Sequence, residues 1–437
     1  MKRLLTPLAF AAATLLASGG YATPYCESLA VKDQLPKKYQ KRGPFYSDTS
    51  SGWIVGQDQL RNKYAVSDEA VALWHDIRAE FEKHAIDLVV LAAPPRPLFV
   101  PKSALDALGM PLDAELPVLQ DGFSAYIAAL NAAGIVAPDL SRVAQSPLAA
   151  EYYFARDTHW TPMGAAVSVA YLNAAMGKGA IDANLARITS TGTYDEKGSL
   201  AGVVKDACGK RPQTETVPAP QYAIQGSAAS LLGAAPELEK LALVGTSFSD
   251  RYQRDAYQVA DALAFMMDVH VDNFSVTGGG LVGSMEAFIR SGALASTSYK
   301  TVVWEAPYSA PLTDVNGLRQ ILGALKSAAL VSHTEGLDAR IGKDWISIEH
   351  SVSMEEVQGL EIVTEGTDTG QLLVEIIDGA GEKTRTKLVK SNRVAANLRS
   401  NRWALSLSGL PIGQIVRIKL RLPKSEKQEA ATIHFIY

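Results

Sequence analysis

Leu241-Ala242-Leu243-Val244-Gly245-Thr246-Ser247-Phe248-Ser249 is the stretch from which the fold is best read. Its apolar run is a short buried strand that ends in a turn. Ser247 then stands at the strand's carboxyl end, with following backbone N–H groups free to bind an oxyanion. Well upstream lies Asp157-Thr158-His159-Trp160. An Asp and a His two residues apart fit in one turn, the carboxylate accepting the imidazole Nδ1–H. That bond fixes the tautomer and leaves Nε2 to take a proton from a hydroxyl. Ser247 is the candidate hydroxyl, so Ser247, His159 and Asp157 are the candidate catalytic triad. Ser249 occupies the place of the second glycine in a Gly-x-Ser-x-Gly elbow, so the serine motif alone is weak. Its weight comes from the pairing with Asp157 and His159.

Outward from this strand the same alternation recurs. Ser67 or Asp68 caps a predicted helix through Ala70, Leu73, Trp74, Ile77 and Phe81. Ile86 to Leu91 reads as a buried strand closed by Ala93-Pro94-Pro95-Arg96-Pro97. A helix over 123–133 and a short strand, Ile135-Val136-Ala137, follow. After His159, Thr161 caps a helix with Pro162 at its first position, where a missing N–H costs nothing. It should run to about Met176. Residues 178–235 are rich in Gly, Ala and Pro and show no clear period. Strands return near Val269-His270-Val271 and at Thr301 to Glu305, and a helix at Val315 to Leu330. Such alternation predicts an α/β domain with a mainly parallel sheet covered on both faces. Sites in these sheets lie beyond the strands' carboxyl ends. Arg96, Ser247, Gly278, Gly279, Gly280 and Tyr308 are expected to gather there, as substrate or oxyanion contacts beside the triad.

Gly278 to Gly283 also fits the Gly-x-Gly-x-x-Gly dinucleotide pattern, a weak match alone. In an exported chain it reads better as bare backbone that completes an oxyanion hole with the Ser247 N–H. A plain tight turn is the alternative. No Cys/His cluster has zinc-ligand spacing, and neither a metal nor a cofactor is expected.

From about residue 341 the period becomes two. Gly359 to Thr364, Gln371 to Ile377, Trp403 to Ser408 and Ile415 to Leu422 alternate apolar and polar, separated by turns such as Asp378-Gly379-Ala380-Gly381. This predicts an antiparallel β-sandwich. Between Glu375 and Lys424 there are eleven Lys/Arg against three acids, a local charge of +8 in a chain whose formal net charge is −4. A basic face attracts a polyanion, here an acidic polysaccharide rather than nucleic acid. Arg399, Arg402, Trp403 and Arg417 are the candidate polymer contacts, and Trp345 is a second tryptophan that could stack on sugar. A merely solvated face is the alternative.

The chain has 437 residues, 47% hydrophobic and 20% charged, enough for two globular domains. Lys2 and Arg3 precede an apolar stretch from Leu4 to Leu16 and then small residues to Ala22. That is a signal peptide, residues 1–22, which predicts export to the periplasm. No later run is long and apolar enough for a bilayer. Cys26 and Cys208 are the sole cysteines and in an oxidising compartment would pair. The expected organisation is a catalytic domain over 23–340 and a sandwich over 341–437, as a monomer.

Arg156-Asp157-Thr158-His159-Trp160-Thr161-Pro162-x-Gly164, followed by Gly245-Thr246-Ser247 and Gly278-Gly279-Gly280, resembles the alginate O-acetyltransferase family of AlgX and AlgJ. The resemblance implies an SGNH-hydrolase-like domain with Asp and His ahead of the Ser, and a disulfide like Cys26–Cys208. The sandwich resembles the carbohydrate-binding module of the AlgX branch. A further disulfide associated with that module has no cysteines here. The resemblance further implies alginate (polymannuronate) as acceptor, membrane-associated acetyl-donor proteins and the alginate secretion complex as partners. Ser247 would be nucleophile, His159 base then acid, and Asp157 its orienter. A polysaccharide acetylesterase with the same triad, or a non-catalytic polymer-binding secretion protein, are the rival readings.

Overall fold

The structure, a computed structural model, describes residues 23–437 apart from 110–114, 189–190, 223–238, 297, 330–335, 354–356, 367–369 and 424–427. The expected signal peptide lies outside the described residues. Among them, no helix is long and apolar enough to cross a membrane.

Four parallel strands form the central sheet: β1 Asp87–Ala92, β2 Lys240–Val244, β3 His270–Asn273 and β4 Tyr299–Ala306, in the order β1-β4-β2-β3. The reason β1, β2 and β4 are largely apolar is visible in the packing, whereas the edge strand β3, His-Val-Asp-Asn, stays polar and partly exposed. Val89, Leu91, Leu241 and Leu243 enter one apolar cluster, and Leu88, Val90, Ala242 and Val244 the other. Alternate side chains point to opposite faces, and both faces are covered. The expected strand Ile135-Val136-Ala137 contracts to one parallel bridge, Val89 to Val136. Pro138 follows at once and has no N–H for a ladder.

Helix α1, Asp68–Lys83, starts as predicted at Ser67, whose hydroxyl accepts the Ala70 N–H at 3.2 Å. Its five predicted apolar positions are all buried. Helix α2, Pro162–Ala175, is capped by Thr161, whose Oγ1 accepts the Gly164 N–H at 2.9 Å. Gly164 is required by close approach: a Cβ there would sit 2.1 Å from the Tyr152 carbonyl oxygen. Helices α3, Gly280–Arg290, and α4, Val315–Ala329, cover the other face.

The unassigned stretch after residue 178 holds a helix Ile181–Ala186 and a two-stranded antiparallel sheet of Thr191–Glu196 with Glu215–Pro220, with a helix Ser199–Cys208 between its strands. Cys208 is disulfide-bonded to Cys26, with Cα atoms 5.8 Å apart. Around that bond Leu29, Phe45 and Ile54 pack on Leu200, Val203 and Val204.

The C-terminal strands are β5 Leu337–Ile341, β6 Ile346–Ser353, β7 Gly359–Thr364, β8 Gln371–Asp378, β9 Lys383–Val389, β10 Arg402–Ser406, β11 Gln414–Arg421 and β12 Glu429–Ile436. They form two antiparallel sheets, β6-β11-β8-β9 and β10-β7-β12-β5, around one apolar core. The first strand begins a few residues ahead of the change of period near 341. The sandwich sits directly on α4. A Cβ on Gly323 would lie 2.6 Å from the Leu405 nitrogen, and Ala404 is part of the α/β domain's own apolar cluster. Arg319 donates to the Ser408 carbonyl at 2.6 Å, and Gln320 bonds both the N–H and the C=O of Val389.

Candidate active site

The end of β2 is clamped before it turns. Thr246 donates its N–H to Glu305 Oε2 at 2.6 Å and its hydroxyl to Oε1 at 3.0 Å. Glu305 lies on the adjacent β4 and is fully buried. Burial pushes its carboxyl up to about 7, against the pull of the Thr246 donors. The chain then folds back, with Ser249 and Asp250 N–H groups donating to the Thr246 carbonyl. Ser247 sits at the tip of that turn.

His159 comes from the loop before α2. Its Nε2 lies 2.8 Å from Ser247 Oγ, and its Nδ1 lies 2.5 Å from Asp157 Oδ1. Oδ1 also accepts the His159 backbone N–H at 2.9 Å, and Oδ2 accepts the Ser199 N–H at 2.5 Å. Asp157 is fully buried. Burial pushes its carboxyl up, but His159 beside it, with Arg251 and the Ser199 N–H, outweighs that and holds it well below the usual carboxylate range. An ionised carboxylate only accepts, so Nδ1 carries the proton and Nε2 accepts the Ser247 O–H. The imidazole is stacked on Tyr257, centroids 5.2 Å apart, and touches Phe248. Trp160 completes the junction by donating its indole N–H to the Phe248 carbonyl at 3.0 Å. The two sequence motifs are thereby bolted together.

Ser247 and His159 open into a cleft of about 400 Å³ also lined by Arg42, Asp58, Thr158, Phe248, Gly278, Gly280, Pro307 and Tyr308. Two of the three glycines predicted at the site are thus there. Gly279 lines a larger neighbouring cavity, about 1110 Å³, between α3 and the sandwich. Gly278 and Gly280 border both spaces. Tyr308 lines the cleft too, and its hydroxyl accepts from Gln59 at 2.8 Å.

Arg96 is a correction. It is fully buried beneath the site and donates to the carbonyls of Ile54, Phe154 and Ala155 and to Gln59. Its guanidinium stacks on Trp53 at 4.7 Å. A cation with every donor turned to buried carbonyls holds loops together and has nothing left for substrate. Two of the sandwich contacts, Trp403 and Arg402, need correcting too. Trp403 is 1% exposed and its indole donates to Thr364 inside the core. Arg402 grips the buried Glu361, which Arg290 also holds at 3.0 Å. Arg417 pairs with Glu349 at 2.5 Å. Arg399 donates to the carbonyls of Val394 and Asn392 and lines the larger cavity. Trp345 is half-buried under Arg421, 5.4 Å from its ring.

Arg251 is the functional neighbour that the sequence reading missed. Its Nη1 lies 3.1 Å from His159 Nδ1, 3.5 Å from Asp157 Oδ2 and 2.5 Å from the Tyr257 hydroxyl, and its Nη2 donates to Glu196 at 3.1 Å. The only signal was its place four residues after Ser247. Glu196 lies in the stretch that showed no period.

The family model for the SGNH hydrolase-like domain of acetyltransferase AlgX matches residues 50–308, more than half of the chain. "Alginate biosynthesis protein AlgX" of Pseudomonas aeruginosa is 27% identical over 70% of this chain and 66% of its own length. "Probable alginate O-acetylase AlgJ" of Pseudomonas syringae is 25% identical over 60% of this chain and 70% of its own length. The chain thus spans no more than about two thirds of the AlgX relatives in sequence. In structure, Pseudomonas aeruginosa AlgX aligns over 94% of this chain and 98% of that chain, with a TM-score of 0.69 at 19% identity, a likeness of fold. The family match covers both halves of the Asp157–His159 and Ser247 constellation, and the chain belongs to the family of SGNH hydrolase-like, AlgX-type acetyltransferase domains.

Proposed function

We propose that this protein is an O-acetyltransferase that esterifies hydroxyls of alginate, with Ser247 as nucleophile. The observation that carries the reading is the unbroken series from Asp157 through His159 to Ser247 Oγ at the floor of an open cleft. Ser247 Oγ attacks the acetyl carbonyl of a donor as His159 Nε2 takes its proton. The tetrahedral intermediate collapses, the donor's leaving group departs with that proton, and acetyl-Ser247 remains. A sugar hydroxyl then gives its proton to Nε2 and attacks the ester carbonyl. Collapse returns the proton to Ser247 Oγ and releases acetylated polymer. The backbone N–H of Ser247 and the bare backbone at Gly278 and Gly280 are the proposed oxyanion donors.

The signal peptide supports action in the periplasm, where acetyl-coenzyme A is absent, so the donor is a membrane-associated acetyl carrier. The names of the AlgX and AlgJ relatives support alginate as acceptor. We assign polymer holding to the cavity beside the cleft, where Lys390 and Arg399 stand. A bound acceptor there raises its effective concentration over water.

Mass spectrometry after exposure to an activated acetyl ester tests the reading. The expected result is one acetyl group on the peptide carrying Ser247, absent in Ser247→Ala and discharged faster when oligomannuronate is added. Discharge at one rate with and without the sugar identifies an acetylesterase. No label at all leaves only a polymer-binding protein.

A further inference from the structure

The contact between Arg251 and His159 poses a problem of donors. Nδ1 already gives its proton to Asp157, so the Arg251 N–H at 3.1 Å faces another donor, not an acceptor. The approach is held by other bonds: Glu196 on Nη2, the Tyr257 hydroxyl on Nη1, and Asp157 Oδ2 at 3.5 Å. Glu196 is itself fixed, accepting the Gly198 N–H at 2.9 Å. Burial alone would lower the guanidinium's pKa, but Asp157, Tyr257 and Glu196 outweigh it, so the charge persists.

We propose that Arg251 is a positioning residue for the acyl transfer: it holds Asp157 by the oxygen turned away from the imidazole and places a fixed positive charge 3.1 Å from Nδ1, opposing the charge of the carboxylate on the other side. This inference rests on the reading of Ser247, His159 and Asp157 given above. A cation beside an imidazole disfavours imidazolium, whereas Asp157 favours it. The other titratable groups around the ring are Ser247 at Nε2, Tyr257 stacked on its face, and Arg42, Asp58 and Tyr308 across the cleft. Arg42 and Asp58 pair with each other at 3.6 Å. Tyr257 and Tyr308 are neutral, burial having raised both phenols. Arg251 and Asp157 are therefore the charges in direct contact with Nδ1. Glu196 works one step behind, partly neutralising the arginine.

That arrangement predicts opposite effects from two neighbours. In Arg251→Gln the His159 ring should take up its second proton at a pH higher by about one unit, tenfold in the proton-binding constant. Glu196→Gln leaves the arginine less compensated, so the midpoint should move the other way. Arg251→Lys should fall close to wild type. NMR titration of the His159 ring nitrogens reads all three directly and requires no turnover, so it stays informative if Ser247 takes no acetyl group. The acid limb of Ser247 acetylation by the activated ester should follow the same order. Equal ring midpoints in wild type and Arg251→Gln would overturn the proposal. So would shifts of the same sign in Arg251→Gln and Glu196→Gln, the mark of a site merely loosened by substitution. If Arg251→Gln does not fold, the sign of the Glu196→Gln shift decides.

Discussion

Asp157→Asn tests the site most sharply, because the amide cannot satisfy both of its anchors. Oδ1 accepts two donors of His159, the Nδ1–H and the backbone N–H, while Oδ2 accepts the Ser199 N–H and faces Arg251. An asparagine has one oxygen to share between these sides. With its oxygen toward His159, the amide NH₂ is pressed against the Ser199 N–H and a guanidinium. With the oxygen on the Ser199 side, those two are satisfied, but the NH₂ then donates to Nδ1 and the His159 backbone N–H loses its acceptor. The second arrangement is favoured electrostatically, and it moves the imidazole proton to Nε2, where the ring can no longer accept from Ser247. The expected loss in kcat/KM is about 10³–10⁴, or roughly 4–5.5 kcal/mol of transition-state stabilisation. The assay is acetyl transfer from an activated ester to oligomannuronate, alongside the rate of Ser247 labelling. Folding is checked by thermal melting. A folded Asp157→Asn protein within about tenfold of wild type would refute the tautomer argument and require another acid behind His159.

Further perturbations read other parts of the structure. Arg96→Met should leave the Ile54, Phe154 and Ala155 carbonyls without their donor and lower unfolding stability by about 3–5 kcal/mol; an unchanged urea midpoint would contradict a structural arginine. Serine at both Cys26 and Cys208 reopens a separation of 182 residues, for which chain entropy gives about 5 kcal/mol. Equal denaturation midpoints with and without reductant in wild type would count against that bond. Glu305, raised from 4.5 to about 7, keeps in the folded state a proton that the unfolded chain releases. Its stabilisation is full below about pH 4.5 and lost as pH rises through about 7, so the advantage of wild type over Glu305→Gln should shrink by up to about 3 kcal/mol across that window. A difference constant from pH 5 to 8 would place the proton elsewhere. Arg402→Ala should lower stability by about 1–3 kcal/mol, since Glu361 keeps Arg290, and leave polymer binding little changed; the reverse outcome would restore Arg402 to the binding surface.

Where the sequence was legible, local chemistry and tertiary packing agree. Ser67, Thr161 and Pro162 announce helix starts through donors they satisfy or lack, and β1 and β2 announce two covered faces through uninterrupted apolar runs. Asp157 and His159 are close in the chain, so their contact is almost a local matter. Arg251 was not legible because its position depends on Glu196 and Tyr257, which arrive from other segments. Arg96 was misread for a related reason: its placement after a strand suggested the cleft, but the surrounding carbonyls turn it inward. The basic stretch misled through counting. Antiparallel register sets Glu349 opposite Arg417, and Glu375 opposite both Arg385 and Lys419. Glu349 and Glu361 lie outside the window in which eleven cations were counted. Two of the eleven cations, Arg402 and Arg417, are therefore spent on acids that lie outside the window.

Helix α4 is a party wall between the two cores. Its Leu318, Ile321, Leu322 and Leu325 face the α/β layer, while Gly323, Arg319 and Gln320 receive the backbone of the sandwich. A chain cut before Leu337 would strand Arg319 and Gln320 without their carbonyls and uncover the groove at Gly323. The sandwich is accordingly no cartridge to be exchanged for another: grafting a foreign one would mean recarving the helix beneath it, and calorimetry of the intact chain should record one melting event where a tethered pair would record two.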